Sequence, residues 1–225
     1  MDRLKKNKPS GDKIYTGSYL YSRNQNMYSE EFFEVYKDRH DLTLQYFSDI
    51  HSRVATGELL TIQVDFKINQ ENIPERVKIE RSLGKATVIE NYQFDQKRSL
   101  VHYKFQSEKE KKECEIATGP KFHISTPAAC ASMIFLKSKK ENTTEKNIYN
   151  FIQSLNKWKY EQKPFIKAVA LQRMGVGAES LVIDGHSVQA TEYKLFEDSS
   201  ENESTQSKSP KGVKIFVSKH VSIPY

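Results

Sequence analysis

The residues of this chain best able to do chemistry are its histidines, cysteines and acidic pairs, and their spacing sets narrow limits. His40, His51, His102, His123, His186 and His220 are scattered, with no His-Glu-x-x-His run. Cys114 and Cys130 form neither a Cys-x-x-Cys pair nor a zinc pattern. No metal and no cofactor is therefore expected. Cys130 follows His123 on a segment read as helical, and a buried structural thiol is the reading taken over a nucleophile–base pair. Glu30-Glu31 and Asp38 with Asp41 read as solvated faces, and neighbouring strand residues point to opposite sides of a sheet, so the first pair makes a poor acid–base couple. The stretch GVGAES (175–180) lacks the lysine and the following helix of a phosphate loop, and no serine sits in a Gly-x-Ser-x-Gly elbow. The expectation is a protein without catalytic residues.

His186 stands in LVIDGHSVQATEYKLFED (181–198), directly after Asp184-Gly185. Asp-Gly is a strong type I′ hairpin signal, because both central residues take positive φ. A two-residue turn pairs Ile183 with His186 and Leu181 with Val188. His186 then reads as a turn histidine at the rim of a sheet.

The elements that must position these residues repeat every second position. In LLTIQVDFKI (59–68), Leu60, Ile62, Val64, Phe66 and Ile68 alternate with polar partners, as in a strand with one buried face. Val77 and Ile79 continue the rhythm in 76–83, Val88, Tyr92 and Phe94 in 86–94, and Val101, Tyr103 and Phe105 in 100–105. Tyr15, Gly17, Tyr19 and Tyr21 share one side of 13–22, and strands are also expected over 30–38, 41–50, 165–174, 179–183, 186–196 and 212–218. Turn-like breaks at 69–74, 82–85, 95–99 and 118–121 separate several of these segments. The fold class is mainly β: an antiparallel meander curling into a barrel or half-barrel. Two segments differ. Ser125 or Thr126 as a cap, Pro127 at the first turn and a lysine-rich end predict a short helix around 126–138. Over 144–160, Ile148, Phe151, Ile152, Leu155 and Trp158 fit a helical face, while the aromatic and β-branched content also permits a strand. The pattern leans to helix and leaves a strand open.

The 225 residues carry a net charge of +6 with a pI near 9.1. Most of that charge lies in mixed runs such as EKEKKECE (108–115), and no aromatic-basic motif for nucleic acid appears. Residues 1–12 read as a flexible basic tail, 13–225 as one barrel-like domain, and 197–212 as a disordered loop within it. No apolar stretch is long enough for a membrane helix. The N-terminus has no secretory apolar region, so a cytoplasmic location is the default and export is expected only if a leader was removed.

The order of the segments GSYLYS, EEFFEVYKD, FKINQENIPERVKIERSLG, FHISTPA and IDGHSVQATEYKLFED resembles a diffuse family of uncharacterised bacterial proteins. Its members have a long curved antiparallel sheet, similar to a lipocalin-like barrel or the half-barrel of lipoprotein carriers. The chain departs from true lipocalins where Gly17 is followed by Ser18 and Tyr19 instead of a Gly-x-Trp start. The resemblance implies sequestration of a hydrophobic or amphipathic molecule and brings no catalytic residues. The expected function is non-enzymatic binding of a lipid or other apolar small molecule on the concave face. Tyr19, Ile62, Val64, Phe66 and Tyr103 are the expected lining, with His186 at its rim. The alternatives are a protein-interaction scaffold acting through loops and sheet edges, and single-stranded nucleic-acid binding.

Overall fold

The computed structural model describes residues 11–175, 177–183, 185–196, 212–218 and 222–225. Its first half is an antiparallel meander in which each strand pairs with the next: β1 (Asp12–Arg23), β2 (Asn26–Lys37), β3 (Leu44–Arg53), β4 (Leu59–Ile68), β5 (Pro74–Leu83), β6 (Ala86–Asp95), β7 (Leu100–Ser107) and β8 (Lys111–Ala117). The first turn shows how local chemistry fixes register. Asn24 and Gln25 both hold positive φ, 51° and 66°, which closes a two-residue loop between the paired Arg23 and Asn26. From there the register aligns the apolar series. Val35, Tyr46, Phe66, Val77, Tyr92, Tyr103 and Cys114 stand side by side from β2 to β8. Each large side chain fully buried in this row contributes roughly 1.5–3 kcal/mol.

The sheet is open. Among the described residues β1 and β8 are both edges and do not pair, so the expected barrel closure is not seen. β8 comes from the charged run read as a mixed-charge stretch. Cys114 and Ile116 turn inward between outward Lys111, Glu113 and Glu115, and the charges blunt the edge.

A second sheet holds β9 (His123–Ile124), β10 (Asn147–Gln153), β11 (Phe165–Arg173), β12 (Glu179–Ile183), β13 (His186–Phe196) and β14 (Val213–Ser218). Its order is β12-β13-β11-β10-β9, with β14 off this path, pairing β13 on the edge opposite β11, and β9 is parallel to β10. The hairpin register expected around Asp184-Gly185 is observed, with Ile183 opposite His186 and Leu181 opposite Val188. Asp184 itself lies outside the described residues, as do 1–10 of the expected tail and 197–211 of the expected loop. Asp12, assigned to the tail, begins β1.

The short helix expected around 126–138 is present only as 3₁₀ helix, and over 144–160 the strand alternative prevails. The 126–138 segment forms two short 3₁₀ turns, Ala129–Ala131 and Ile134–Ser138. The reason is burial on two sides. Cys130, Ala131 and Ile134 belong to the core under the first sheet, while Met133, Phe135 and Leu136 belong to a second core with Tyr149, Leu171, Tyr193 and Val217. An amphipathic helix has only one apolar face to offer, whereas this ribbon is packed between two layers. Over 144–160 the chain forms β10 and then an irregular loop. β10 hydrogen-bonds to both β9 and β11, and that pairing outweighs the helical spacing.

Candidate functional site

The crossing ribbon settles what fills the centre of the large sheet. Val64, Phe66 and Tyr103 are buried beneath the chain's own Ile124, Ala128, Cys130, Ala131 and Ile134, in one continuous apolar cluster. Ile62 and Tyr19 flank that cluster half-buried, and the Tyr19 hydroxyl donates to the Pro224 carbonyl at 2.7 Å. Thus five of the expected lining residues share a face, but side chains of the ribbon occupy the space above its middle. His186 is exposed at the tip of the β12–β13 hairpin, in the other sheet.

The same core contains charge that sequence reasoning missed. Glu31, taken for a solvated residue, is fully buried. It accepts four hydrogen bonds: from the Tyr21 hydroxyl (2.5 Å), the Ser48 hydroxyl (2.9 Å), and the backbone N–H groups of Ala129 (2.9 Å) and Cys130 (3.3 Å). Four donors match the acceptor sites of one carboxylate. Burial, reinforced by Glu31, pushes the Cys130 thiol well above its usual range, so it is an inert structural group. Glu90 is equally buried. It meets Arg81 at 2.5 Å and accepts the hydroxyls of Tyr92 and Tyr103, while Asn156 donates to Tyr103 at 2.9 Å. Both networks are satisfied and tie layers together. The available signal was position: Glu31 and Glu90 occupy the apolar phase of their strands.

Open surface remains at one end of the large sheet. There a cleft of about 470 Å³ is lined by Ile14, Lys37, Leu42, Leu44, Tyr46, Gln70, Asn72, Ile134 and Lys137. Several departures from regular backbone meet in it. The β1–β2 register slips between Lys13 and Tyr15, leaving Ile14 as a bulge residue. Leu42 and Asn72 sit in the left-handed region at φ 56° and 59°. For leucine that conformation is unfavourable, and a scaffold holds it. Asp38 accepts the His40 N–H at 2.8 Å, Asp41 accepts the Thr43 N–H and hydroxyl at 2.9 and 2.6 Å, and Gln70 donates to the Asp41 carbonyl at 2.9 Å. Leu42 is left 47% exposed. Opposite, Lys137 projects from the ribbon segment Ile134–Ser138, and partial burial lowers its pKa.

Among the described residues no three His, Cys, Asp or Glu groups converge to hold a metal, and no helix is long and apolar enough to cross a membrane. No family model, curated protein or solved structure matches the chain.

Proposed function

We propose that this chain is a non-enzymatic binding protein that takes an amphipathic small molecule in the cleft at the end of its large sheet. The apolar part of the ligand lies on Ile14, Leu42, Leu44 and Ile134, and an acidic head reaches Lys37 and Lys137. One observation carries the reading. A bulge residue and two left-handed residues converge on the same cleft, and the bulge and the strained leucine bring apolar side chains to it. Strain of this kind persists only where the surroundings enforce it, and a cleft of this size suits a small ligand. In this reading the apolar ligand lies at the rim of the sheet and not over its filled centre.

Titration of the purified chain with a fluorescent long-chain fatty acid tests this, alongside native mass spectrometry after mild purification. Leu42→Asp and Lys137→Glu are each expected to weaken binding about ten-fold, roughly 1.4 kcal/mol. Unchanged affinity in both variants would remove the cleft from the function.

A second reading, an interaction scaffold, draws on the outer face of β1 and β2. Leu20 is 69% exposed and Phe32 50%, close together on adjacent strands at an unpaired sheet edge. A partner bound there is expected to be lost on Leu20→Lys with Phe32→Lys and kept in Leu42→Asp.

A further inference from the structure

A separate cavity of about 170 Å³ opens where the ribbon meets the second sheet, lined by Lys121, Phe122, His123, Phe135, Ser138, Lys139, Ile148, Tyr149 and Asn150. Two of these residues break the rule that buried polar atoms find partners. His123 is 2% exposed, and its Nδ1 has no hydrogen-bond partner among the described residues. The Tyr149 hydroxyl oxygen is buried in the same condition. His123 is wedged between aromatic rings, stacked on Phe66 at 5.2 Å and edge-on to Phe151 at 5.0 Å. Burial drives its pKa down to about 3, so the ring is neutral; a backbone hydrogen bond with Ala131 acts in the opposite direction. A neutral imidazole offers one donor and one acceptor nitrogen.

Positive charge is also gathered here. The Lys139 ammonium sits 4.2 Å above the Tyr149 ring and donates to the Ile148 carbonyl at 2.5 Å. Its pKa is lowered by burial and then by Lys121. Two like charges held near one opening favour an anion there, against the opposing field of the Glu141 carboxylate on the Tyr149 hydroxyl.

We infer that this cavity is a second binding site, for a small carboxylate that also carries a hydroxyl group. The carboxylate meets Lys139 and Lys121. The hydroxyl, which both donates and accepts, satisfies His123 Nδ1 in either tautomer together with the Tyr149 hydroxyl. The aromatic wall of Phe122 and Phe135 takes the short carbon stem, and the volume limits the molecule to a few carbons.

The experiment is calorimetric titration of the full chain, with histidine-ring nitrogen resonances recorded in parallel, using glycolate, lactate, propionate, glycerol and inorganic phosphate. Glycolate and lactate are expected to bind and to shift the His123 ring signals. Propionate, lacking the hydroxyl, and glycerol, lacking the charge, are expected to bind at least ten-fold more weakly. Tyr149→Phe, His123→Phe and Lys139→Met are each expected to weaken glycolate about ten-fold, and the distant Lys85→Glu to leave it unchanged. Because each aromatic substitution deletes an unpartnered buried polar atom, both are expected to raise the melting temperature of the ligand-free chain. The inference is overturned if neither hydroxy acid binds, if phosphate outcompetes them, or if affinity survives Tyr149→Phe. It is overturned equally if both aromatic variants melt lower, since the polar groups would then be serving the fold. Should His123→Phe fail to fold, Tyr149→Phe decides alone.

Discussion

Glu31 on β2 accepts the backbone N–H of Cys130 at 3.3 Å, joining residues 99 positions apart in sequence. With the adjacent Ala129 N–H at 2.9 Å, this contact pins the crossing ribbon onto the large sheet. Replacing Glu31 by Gln turns an acceptor-only group into one that presents two donors to four existing donors. The expected loss is about 2–4 kcal/mol, since buried groups are left unsatisfied. Urea unfolding measures it, and a loss below ~1 kcal/mol would show that the ribbon is held by packing alone.

Arg81 and Glu90, on the adjacent strands β5 and β6, are the charged pair of the second buried network. Arg81→Met leaves Glu90 buried with only hydroxyl donors, and is expected to cost about 3–5 kcal/mol. The double variant Arg81→Met with Glu90→Met is expected to recover only part of that loss: no unpaired charge remains, but the buried Tyr92 and Tyr103 hydroxyls lose their acceptor. A double variant as unstable as the single one would contradict this.

Protonation of His123 makes the fold acid-sensitive. Its folded pKa lies far below the usual 6.5, so the unfolded chain binds the proton first as pH falls. The associated stability is complete above pH 6.5 and is lost as pH drops toward about 3, at about 1.4 kcal/mol per pH unit. Between pH 6.5 and about 5, before most carboxylates titrate, His123→Phe is expected to flatten this slope by about one proton. Denaturant midpoints across that range check it; parallel slopes for both proteins would sink the assignment.

Gly17 lies opposite Phe33, and a Cβ at Gly17 would stand 2.6 Å from the Phe33 ring. That ring is itself stacked on Tyr19 at 5.3 Å, so it has little room to yield. Gly17→Ala is expected to destabilise by about 1–3 kcal/mol, and Gly17→Ala with Phe33→Leu to recover part of it. Thermal melts compare the three.

The strand rhythm of Ile62, Val64, Phe66, Val77, Ile79, Tyr92, Tyr103 and Phe105 was legible in the chain, because alternation on a pleated strand depends only on neighbours two residues away. The Asp184-Gly185 hairpin register was legible for the same local reason. What the sequence by itself determined is thus a set of one-sided antiparallel strands, their shared face and several of their turns. Tertiary structure alone decided the rest. Whether 126–138 becomes a helix depends on a second sheet packing against its other side, and whether Glu31 is wet or buried depends on a ribbon arriving 98 residues later. The cleft at Leu42 and the cavity at His123 are likewise built from segments far apart in the chain, and no local periodicity encodes the distance between them.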